Sequence, residues 1–159
     1  MRRLETSKRF AGLIAVLVLA AGITAGTAQT ENRSGHGKRA GLELTFTKWF
    51  APDFPNMVGD VGGDIDGKFG GAVLRATQDG RLSAIYIVVA PDLSRSLTIR
   101  LDGGPGTQPG TAVLEGRVVD GLLTGARARV EFVVITNCAQ SPNGTCFQGT
   151  ISIKQRDDD

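Results

Sequence analysis

The chain alternates apolar and polar residues with a period of two from residue 42 onward, in short runs separated by glycine, proline and aspartate. Over residues 126–134, for example, alanine, valine and phenylalanine fall on one face, while arginine and glutamate fall on the other. Such alternation is typical of β-strands with one buried face. It predicts eight strands, at residues 42–46, 57–65, 68–76, 82–90, 97–102, 111–119, 126–134 and 147–154.

The connections between these strands are too short for crossover helices, so the sheet is expected to be antiparallel. Eight antiparallel strands with one apolar face can close into a barrel or stack as a β-sandwich. Gly63, Gly71, Gly116 and Gly149 share a face with large apolar residues, and small residues beside large ones suit a narrow barrel interior. We therefore predict an all-β protein with a single eight-stranded antiparallel barrel, and a β-sandwich is the alternative.

The amino-terminal residues have the pattern of a secretory signal. Four basic residues precede an almost uncharged apolar run over residues 10–25, and small residues follow it. We expect cleavage after Ala28, with Ala25 as the alternative site, and a secreted or periplasmic protein. The predicted organisation is a signal peptide at 1–28, a flexible leader at 29–41, a barrel domain at 42–155 and an acidic tail at 156–159.

Export changes the charge of the chain. Cleavage would remove four of the 18 basic residues and one of the 16 acidic residues, which leaves 14 basic against 15 acidic residues. Binding to nucleic acid or to an anionic membrane would require a clustered basic face. The near-neutral mature chain gives no support to either, so we predict no nucleic-acid partner and no membrane association after signal removal.

The chain has two cysteines, Cys138 and Cys146, on either side of a segment with the turn-forming residues Pro142, Asn143 and Gly144. In an exported protein an even cysteine count predicts a disulfide bond. A metal or redox pair would need closer spacing or further ligands, which the sequence lacks. We therefore predict a disulfide between these two residues.

The sequence excludes several classes of catalytic site. His36 is the only histidine and lies in the predicted leader, so no serine, cysteine or zinc hydrolase motif is formed. Glu43, Glu115 and Glu131 fall on the outward face, where they are expected to pair with basic side chains. We predict no catalytic residue, no metal site and no cofactor.

An aspartate-rich segment at residues 59–71 has the composition of a calcium loop but not its ligand spacing. We interpret it as a bend of the barrel with its aspartates outward, and we expect an odd-length turn there or one long bent strand.

Two features remain as candidates for binding. Tyr86 falls on the inward face of its strand and is a weak candidate for ligand binding, although a buried tyrosine more often packs in a core. The predicted strand 82–90, which begins at Leu82 and ends at Ala90, is apolar on both faces. Either the outer face of this strand is covered by another part of the chain, or the strand contributes to a homo-oligomer interface, and we favour the interface.

Four motifs occur in a characteristic order: G-K-F-G-G-A-V-L at 67–74, L-S-A-I-Y at 82–86, G-T-A-V-L-E-G-R-V-V-D-G-L-L-T-G-A at 110–126 and C-F-Q-G-T-I at 146–151. Over residues 44–154 the chain resembles small exported bacterial proteins with an allene oxide cyclase-like barrel, a fold that plant dirigent proteins share. The resemblance implies an eight-stranded barrel with an apolar lumen. No catalytic residue of the plant cyclases can be assigned to a position of this chain.

Two functional hypotheses follow. The first is an exported, non-catalytic barrel that binds a small apolar ligand or a protein partner. The second is an enzyme similar to allene oxide cyclase, which folds an apolar substrate for cyclisation in the lumen without metal or cofactor. The predicted interior is nearly all aliphatic residues, phenylalanine and glycine, which favours the first hypothesis.

Overall fold

The computed structural model describes residues 41–53 and 55–155, and these residues form eight β-strands and no helix. The predicted signal peptide, the leader up to residue 40 and the acidic tail lie outside the described residues. Gly41, the last residue of the predicted leader, begins the first strand. The strands are β1 (Gly41–Phe50), β2 (Asn56–Gly63), β3 (Gly67–Ala76), β4 (Leu82–Val89), β5 (Ser96–Pro105), β6 (Thr111–Gly121), β7 (Arg127–Thr136) and β8 (Thr145–Lys154).

The eight strands form one closed antiparallel barrel. Each strand pairs with the next strand along the chain, and β1 pairs with β8 to close the sheet. Closure leaves no unpaired edge along the sheet. The predicted barrel is thus confirmed, and the alternative β-sandwich is wrong. No helix within the described residues has the length and apolarity needed to cross a membrane.

The alternation seen in the sequence corresponds to the two sides of the barrel wall. Glu43, Glu115 and Glu131 are exposed, as predicted. Arg129 lies 2.6 Å from a carboxylate oxygen of Glu115 and 2.6 Å from one of Glu131, so Glu115 and Glu131 form salt bridges on the outer surface. The interior holds one continuous cluster of buried apolar residues contributed by all eight strands, among them Leu44, Phe46, Val61, Phe69, Ala84, Tyr86, Ile99, Leu114, Val130 and Ile151.

The barrel has two distinct ends. The end that we call the mouth carries the connections β1–β2, β3–β4, β5–β6 and β7–β8. The opposite end, which we call the base, carries the remaining connections, and there the turn residues Ile65, Ala90 and Ala126 are buried. Apolar residues therefore fill the base, and an opening into the interior must lie at the mouth.

Cys138 and Cys146 lie in and beside the connection between β7 and β8, at the mouth. Their Cα atoms are 5.7 Å apart, at disulfide distance, in agreement with the predicted pairing. The loop between them is also held by a backbone hydrogen bond of 2.9 Å from Cys138 N–H to the Gly144 carbonyl. The pair thus fixes one of the four connections that surround the mouth.

The aspartate-rich segment forms the β2–β3 connection. β2 ends at Gly63 and β3 begins at Gly67, so the turn has three residues, in agreement with the expected odd length. Asp64 and Asp66 are exposed, and the described residues contain no cluster of histidine, cysteine, aspartate or glutamate that could hold a metal ion. The interior position predicted for Gly63 is wrong, because this residue is exposed at the strand end with a φ of 102°.

The register places four basic side chains in one row on the outer wall. Arg100 pairs with Arg117, Arg117 with Arg127, and Arg127 with Lys154, and all four are exposed. The sequence separates these residues widely, so a clustered basic face was not anticipated. The near-neutral net charge of the predicted mature chain therefore does not exclude a clustered basic face. The absence of a nucleic-acid partner stays a prediction.

The outer face of β4 is apolar, as the sequence pattern indicated. Ile87 is 39% exposed, and Ile85 and Val89 are partly buried on the same face. The homo-oligomer interface at residues 82–90 stays a prediction.

Gly149 allows neighbouring strands to pack closely. It pairs with Phe46 on β1 and with Phe132 on β7, and a Cβ atom placed on it would lie 2.7 Å from the Phe132 Cα atom and overlap the Glu131 carbonyl. Backbone atoms of a paired strand cannot move aside without disturbing the ladder. A side chain at this position is therefore excluded by geometry.

We expect Gly149→Ala to lower the free energy of unfolding by about 1–3 kcal/mol because it overpacks this contact. Gly70→Ala is the matched control, since no atom lies within 4 Å of a Cβ atom at that strand position. Denaturant unfolding of both variants measures the difference. Equal stability of the two variants would contradict the close packing at Gly149.

Candidate functional site

A lysine side chain lies inside the barrel. Along β1 the residues Leu44, Phe46 and Lys48 share the inward face, and Lys48 is only 2% exposed. The prediction of an interior made almost entirely of aliphatic residues, phenylalanine and glycine is therefore wrong at this position. Lysine is rarely fully buried without a partner, so its surroundings require an explanation.

Aromatic rings surround the Lys48 amine. The Nζ atom lies 3.8 Å from the centroid of the Tyr86 ring, 4.6 Å from that of Phe132 and between 5.2 and 5.8 Å from three further rings. The three further rings are those of Phe46, Phe69 and Phe147. These five rings come from β1, β3, β4, β7 and β8, so barrel closure is what assembles them. We refer to them as the aromatic cage.

Tyr86 is the polar partner of the amine. Its side chain is 1% exposed, so it faces inward as predicted, and its hydroxyl oxygen accepts a hydrogen bond from Lys48 Nζ. The Tyr86 ring also packs edge to face against Phe69, with centroids 4.8 Å apart. The ring position is thus fixed by packing, and it holds the hydroxyl beside the amine.

Burial strongly affects the ionisation of both groups. Loss of water around Lys48 lowers its pKa well below the ordinary value of 10.5, and the same desolvation raises the pKa of Tyr86. Within the described residues Lys48 forms no salt bridge, so no carboxylate offsets this cost. The ring faces attract an ammonium and offset part of the cost. Burial therefore disfavours the charged form of each group, the ammonium of Lys48 and the phenolate of Tyr86.

Glycines opposite these residues make room for them. Gly59 pairs with Lys48, and Gly71 pairs with Tyr86. A Cβ atom on Gly59 would lie 2.7 Å from the Lys48 Cα atom, and one on Gly71 would lie 3.3 Å from the Phe69 ring. The absence of side chains at these glycines leaves the interior space that the amine and the cage occupy.

A small cavity on the side of the mouth is lined in part by Lys48 and Tyr86. Its volume is about 50 Å³. Since one water-sized group needs roughly 10–15 Å³ measured in this way, the cavity has room for about three to five such groups. Apart from Lys48 and Tyr86 its lining is entirely apolar, formed by Phe50, Met57, Val73, Leu82, Ala84, Phe132 and Phe147.

Larger clefts lie elsewhere but have a different character. One of about 670 Å³ is lined by the β5–β6 loop and by Arg129, Glu131, Gln148 and Thr150. Arg129 and Glu131 are exposed and paired with each other. The cleft also has apolar lining residues, but it is open to solvent, with Val133 43% exposed, and it presents no desolvated polar group. We therefore place the candidate site at Lys48 and Tyr86, despite the smaller volume.

Comparison of the chain with protein-family models, with curated proteins and with solved structures gives no match. The resemblance to allene oxide cyclase-like barrels stays an expectation from the sequence. Functional inference for this site rests on its geometry and chemistry.

Sequence reasoning identified one member of this site and missed the other. Tyr86 was a weak candidate, and the structure places it beside the cavity. Lys48 was missed because the predicted first strand ended at residue 46. Extending the alternation by one step would have placed Lys48 on the buried face, since β1 continues to Phe50. The cysteine pair lies at the same end of the barrel and does not line the cavity.

The arrangement has clear chemical capacities. A neutral amine offers a lone pair and N–H donors, and a protonated phenol offers an O–H donor. Together they can hydrogen-bond a ligand oxygen, and the lone pair can act as a base or a nucleophile.

The buried amine should make the stability of the fold depend on pH. The unfolded chain binds a proton at Lys48 up to its ordinary pKa of 10.5, whereas the folded chain releases it at lower pH. Between these two values the unfolded state holds more protons, so the free energy of unfolding rises with pH. We expect this rise in Tyr86→Phe and its absence in Lys48→Met/Tyr86→Phe, measured by urea unfolding up to pH ~10, where the ordinary lysine pKa is approached. Both variants lack Tyr86, the single tyrosine of the chain, so no tyrosine contributes to the profile.

The double variant should also be more stable than Tyr86→Phe near neutral pH, by about 1–3 kcal/mol, because methionine fills the space without a polar group. Lys68→Met is the control for loss of a lysine, since Lys68 is exposed and pairs with Asp60. A pH profile unchanged by Lys48→Met would show that the folded amine keeps its ordinary ionisation.

Proposed function

We propose that this protein is an exported β-barrel that binds a small, largely apolar molecule at its mouth. The observation that carries the proposal is a cavity with an apolar lining to which two buried residues with polar groups, Lys48 and Tyr86, also contribute. Binding sites for small molecules combine apolar walls with a few polar groups that fix orientation. The cysteine pair is compatible with a non-cytoplasmic location.

The cavity limits what such a ligand can be. About 50 Å³ admits only the end of a molecule, so the remainder must lie against the side chains toward the mouth. Phe50, Val73 and Leu82 face inward there and are only partly buried, which leaves apolar surface for a short chain or a small ring. A long-chain fatty acid has no room within the barrel.

The inner end of the ligand should carry one oxygen atom. An apolar group beside Lys48 and Tyr86 would leave their remaining hydrogen-bonding capacity unused, whereas an oxygen can accept from the amine or from the hydroxyl. An alcohol, an ether or a carbonyl satisfies this requirement. A purely apolar molecule should therefore bind more weakly than its oxygen-bearing counterpart.

A second candidate is the cyclase-like enzyme that the sequence resemblance suggested. The observation in its favour is the same pair, because cyclisation of an apolar substrate needs a polar group at the reacting atoms. Binding without turnover of the ligand distinguishes the first function from the second.

We expect 1-hexanol to bind saturably and to shift the NMR signals of the Val73, Leu82 and Met57 methyl groups, which line the cavity. Hexane should produce smaller shifts at equal free concentration because it lacks the oxygen atom. Two-dimensional methyl spectra recorded across a titration provide the measurement.

Val73→Trp should abolish these shifts by filling the mouth. Leu74→Trp is the matched control, because the adjacent Leu74 is 55% exposed and does not line the cavity. Shifts that survive Val73→Trp would locate binding elsewhere, for example in the outer clefts. Absence of saturable shifts at the cavity methyl groups would refute the proposed function.

A further inference from the structure

The Lys48 amine meets the structural requirements of a nucleophile. It is buried among five aromatic rings, and within the described residues it forms no salt bridge that would hold it as an ammonium. A lysine becomes nucleophilic when it is desolvated in an apolar pocket, because only the neutral amine carries a lone pair. Lys48 is also one of the residues that line the cavity, so a molecule that enters the cavity lies against this side chain.

The other lysines of the described chain lack this environment. Lys68 and Lys154 are exposed, and Lys68 lies 2.6 Å from an oxygen of Asp60. A hydrated ammonium with or without a carboxylate partner has no available lone pair. The chain thus contains its own controls for reactivity that depends on burial.

The geometry points to covalent capture of short apolar aldehydes by Lys48 as an imine. This inference rests on the proposed function, since it specifies the ligand of the same cavity. An aldehyde combines an apolar chain, which the lining accepts, with one terminal oxygen, which Lys48 and Tyr86 would bind. Its carbonyl carbon is terminal and narrow, which suits a cavity of about 50 Å³. A ketone would place a second substituent against the aromatic cage.

The reaction proceeds in two balanced steps. The Nζ lone pair attacks the carbonyl carbon, the carbon–oxygen π bond breaks, and the oxygen takes up a proton while the nitrogen loses one, which gives a carbinolamine. The carbon–oxygen single bond then breaks, the oxygen leaves as water with one further proton from nitrogen, and a carbon–nitrogen double bond forms. No oxidant or reductant is required, and water is the only product released.

Tyr86 is positioned to move the protons in both steps. Its hydroxyl contacts Lys48 Nζ, and Tyr86 is a lining residue of the same cavity, so the hydroxyl would lie near both the nitrogen and the oxygen of a carbonyl held at Lys48. As a protonated phenol it can donate to the carbonyl oxygen during attack and to the departing hydroxyl during loss of water. The apolar lining limits water near the imine and thereby slows its hydrolysis.

The experiment treats the full chain with hexanal, reduces any imine with cyanoborohydride and maps the modified lysines by peptide mass spectrometry. Reduction converts the imine to a stable secondary amine, which adds the mass of hexanal less one oxygen atom. We expect Lys48 to be modified at least about tenfold faster than Lys68 and Lys154, since each unit by which burial lowers a lysine pKa gives about ten times more free amine.

Three variants make the test specific. Lys48→Arg keeps a basic side chain without a nucleophilic amine and should abolish the fast adduct. Tyr86→Phe keeps the ring packing and should slow adduct formation while Lys48 remains the modified residue. Lys68→Met is the control and should leave the rate at Lys48 unchanged. An equal rate in Tyr86→Phe would contradict the proton-transfer role of the hydroxyl.

The outcome separates this inference from the proposed function. If 1-hexanol shifts the cavity methyl signals but hexanal gives no preferential adduct at Lys48, imine formation is refuted and binding stands. If neither probe occupies the cavity, both fail. Equal modification of Lys48, Lys68 and Lys154 would likewise overturn the inference, because the cage would then confer no special reactivity.

Discussion

The burial of one amine without a carboxylate partner is the constraint on which the candidate site and the packing around it depend. Moving a lysine from water into an apolar interior disfavours its charged form, and the described residues supply rings and one hydroxyl instead of a counter-ion. A methionine at position 48 would avoid this cost. That the barrel keeps Lys48 buried beside a cavity argues for a use of the amine, because functional groups are often retained at the expense of stability.

The architecture explains how such a group can be held in place. A closed barrel brings side chains from distant parts of the sequence to one point, and here five strands contribute the five rings around Nζ. Three of the large inward side chains have a glycine as their paired residue on a neighbouring strand: Gly59 pairs with Lys48, Gly71 with Tyr86 and Gly149 with Phe46. At these positions the neighbouring strand places no side chain against them. Large residues and glycines on neighbouring strands thus create both the cage and the small cavity beside it.

Much of the fold could be predicted from the sequence, because alternation with a period of two records directly which side of a sheet a residue occupies. The eight strands and their antiparallel order follow from that signal, and the turn before Gly67 has one of the two forms that it allowed. The barrel was favoured over the sandwich by the inward glycines. The site could be predicted only in part. The alternation along β1 assigns Lys48 to the inward face, but a lysine is usually exposed. A prediction based on hydrophobic residues therefore ends the first strand at residue 46. The row from Arg100 to Lys154 depends on register between strands, which single-strand patterns do not contain.

The central claim is that burial in the folded barrel lowers the pKa of the Lys48 amine well below its ordinary value. The most direct test is an NMR titration of protein with isotopically labelled lysine side chains, in which the Lys48 signals are assigned by their loss in Lys48→Arg. The account predicts that Lys48 titrates well below the ordinary lysine pKa of 10.5 while the exposed lysines serve as internal references. Titration of Lys48 together with those exposed lysines would mean that the aromatic cage holds an ammonium, and it would contradict the account.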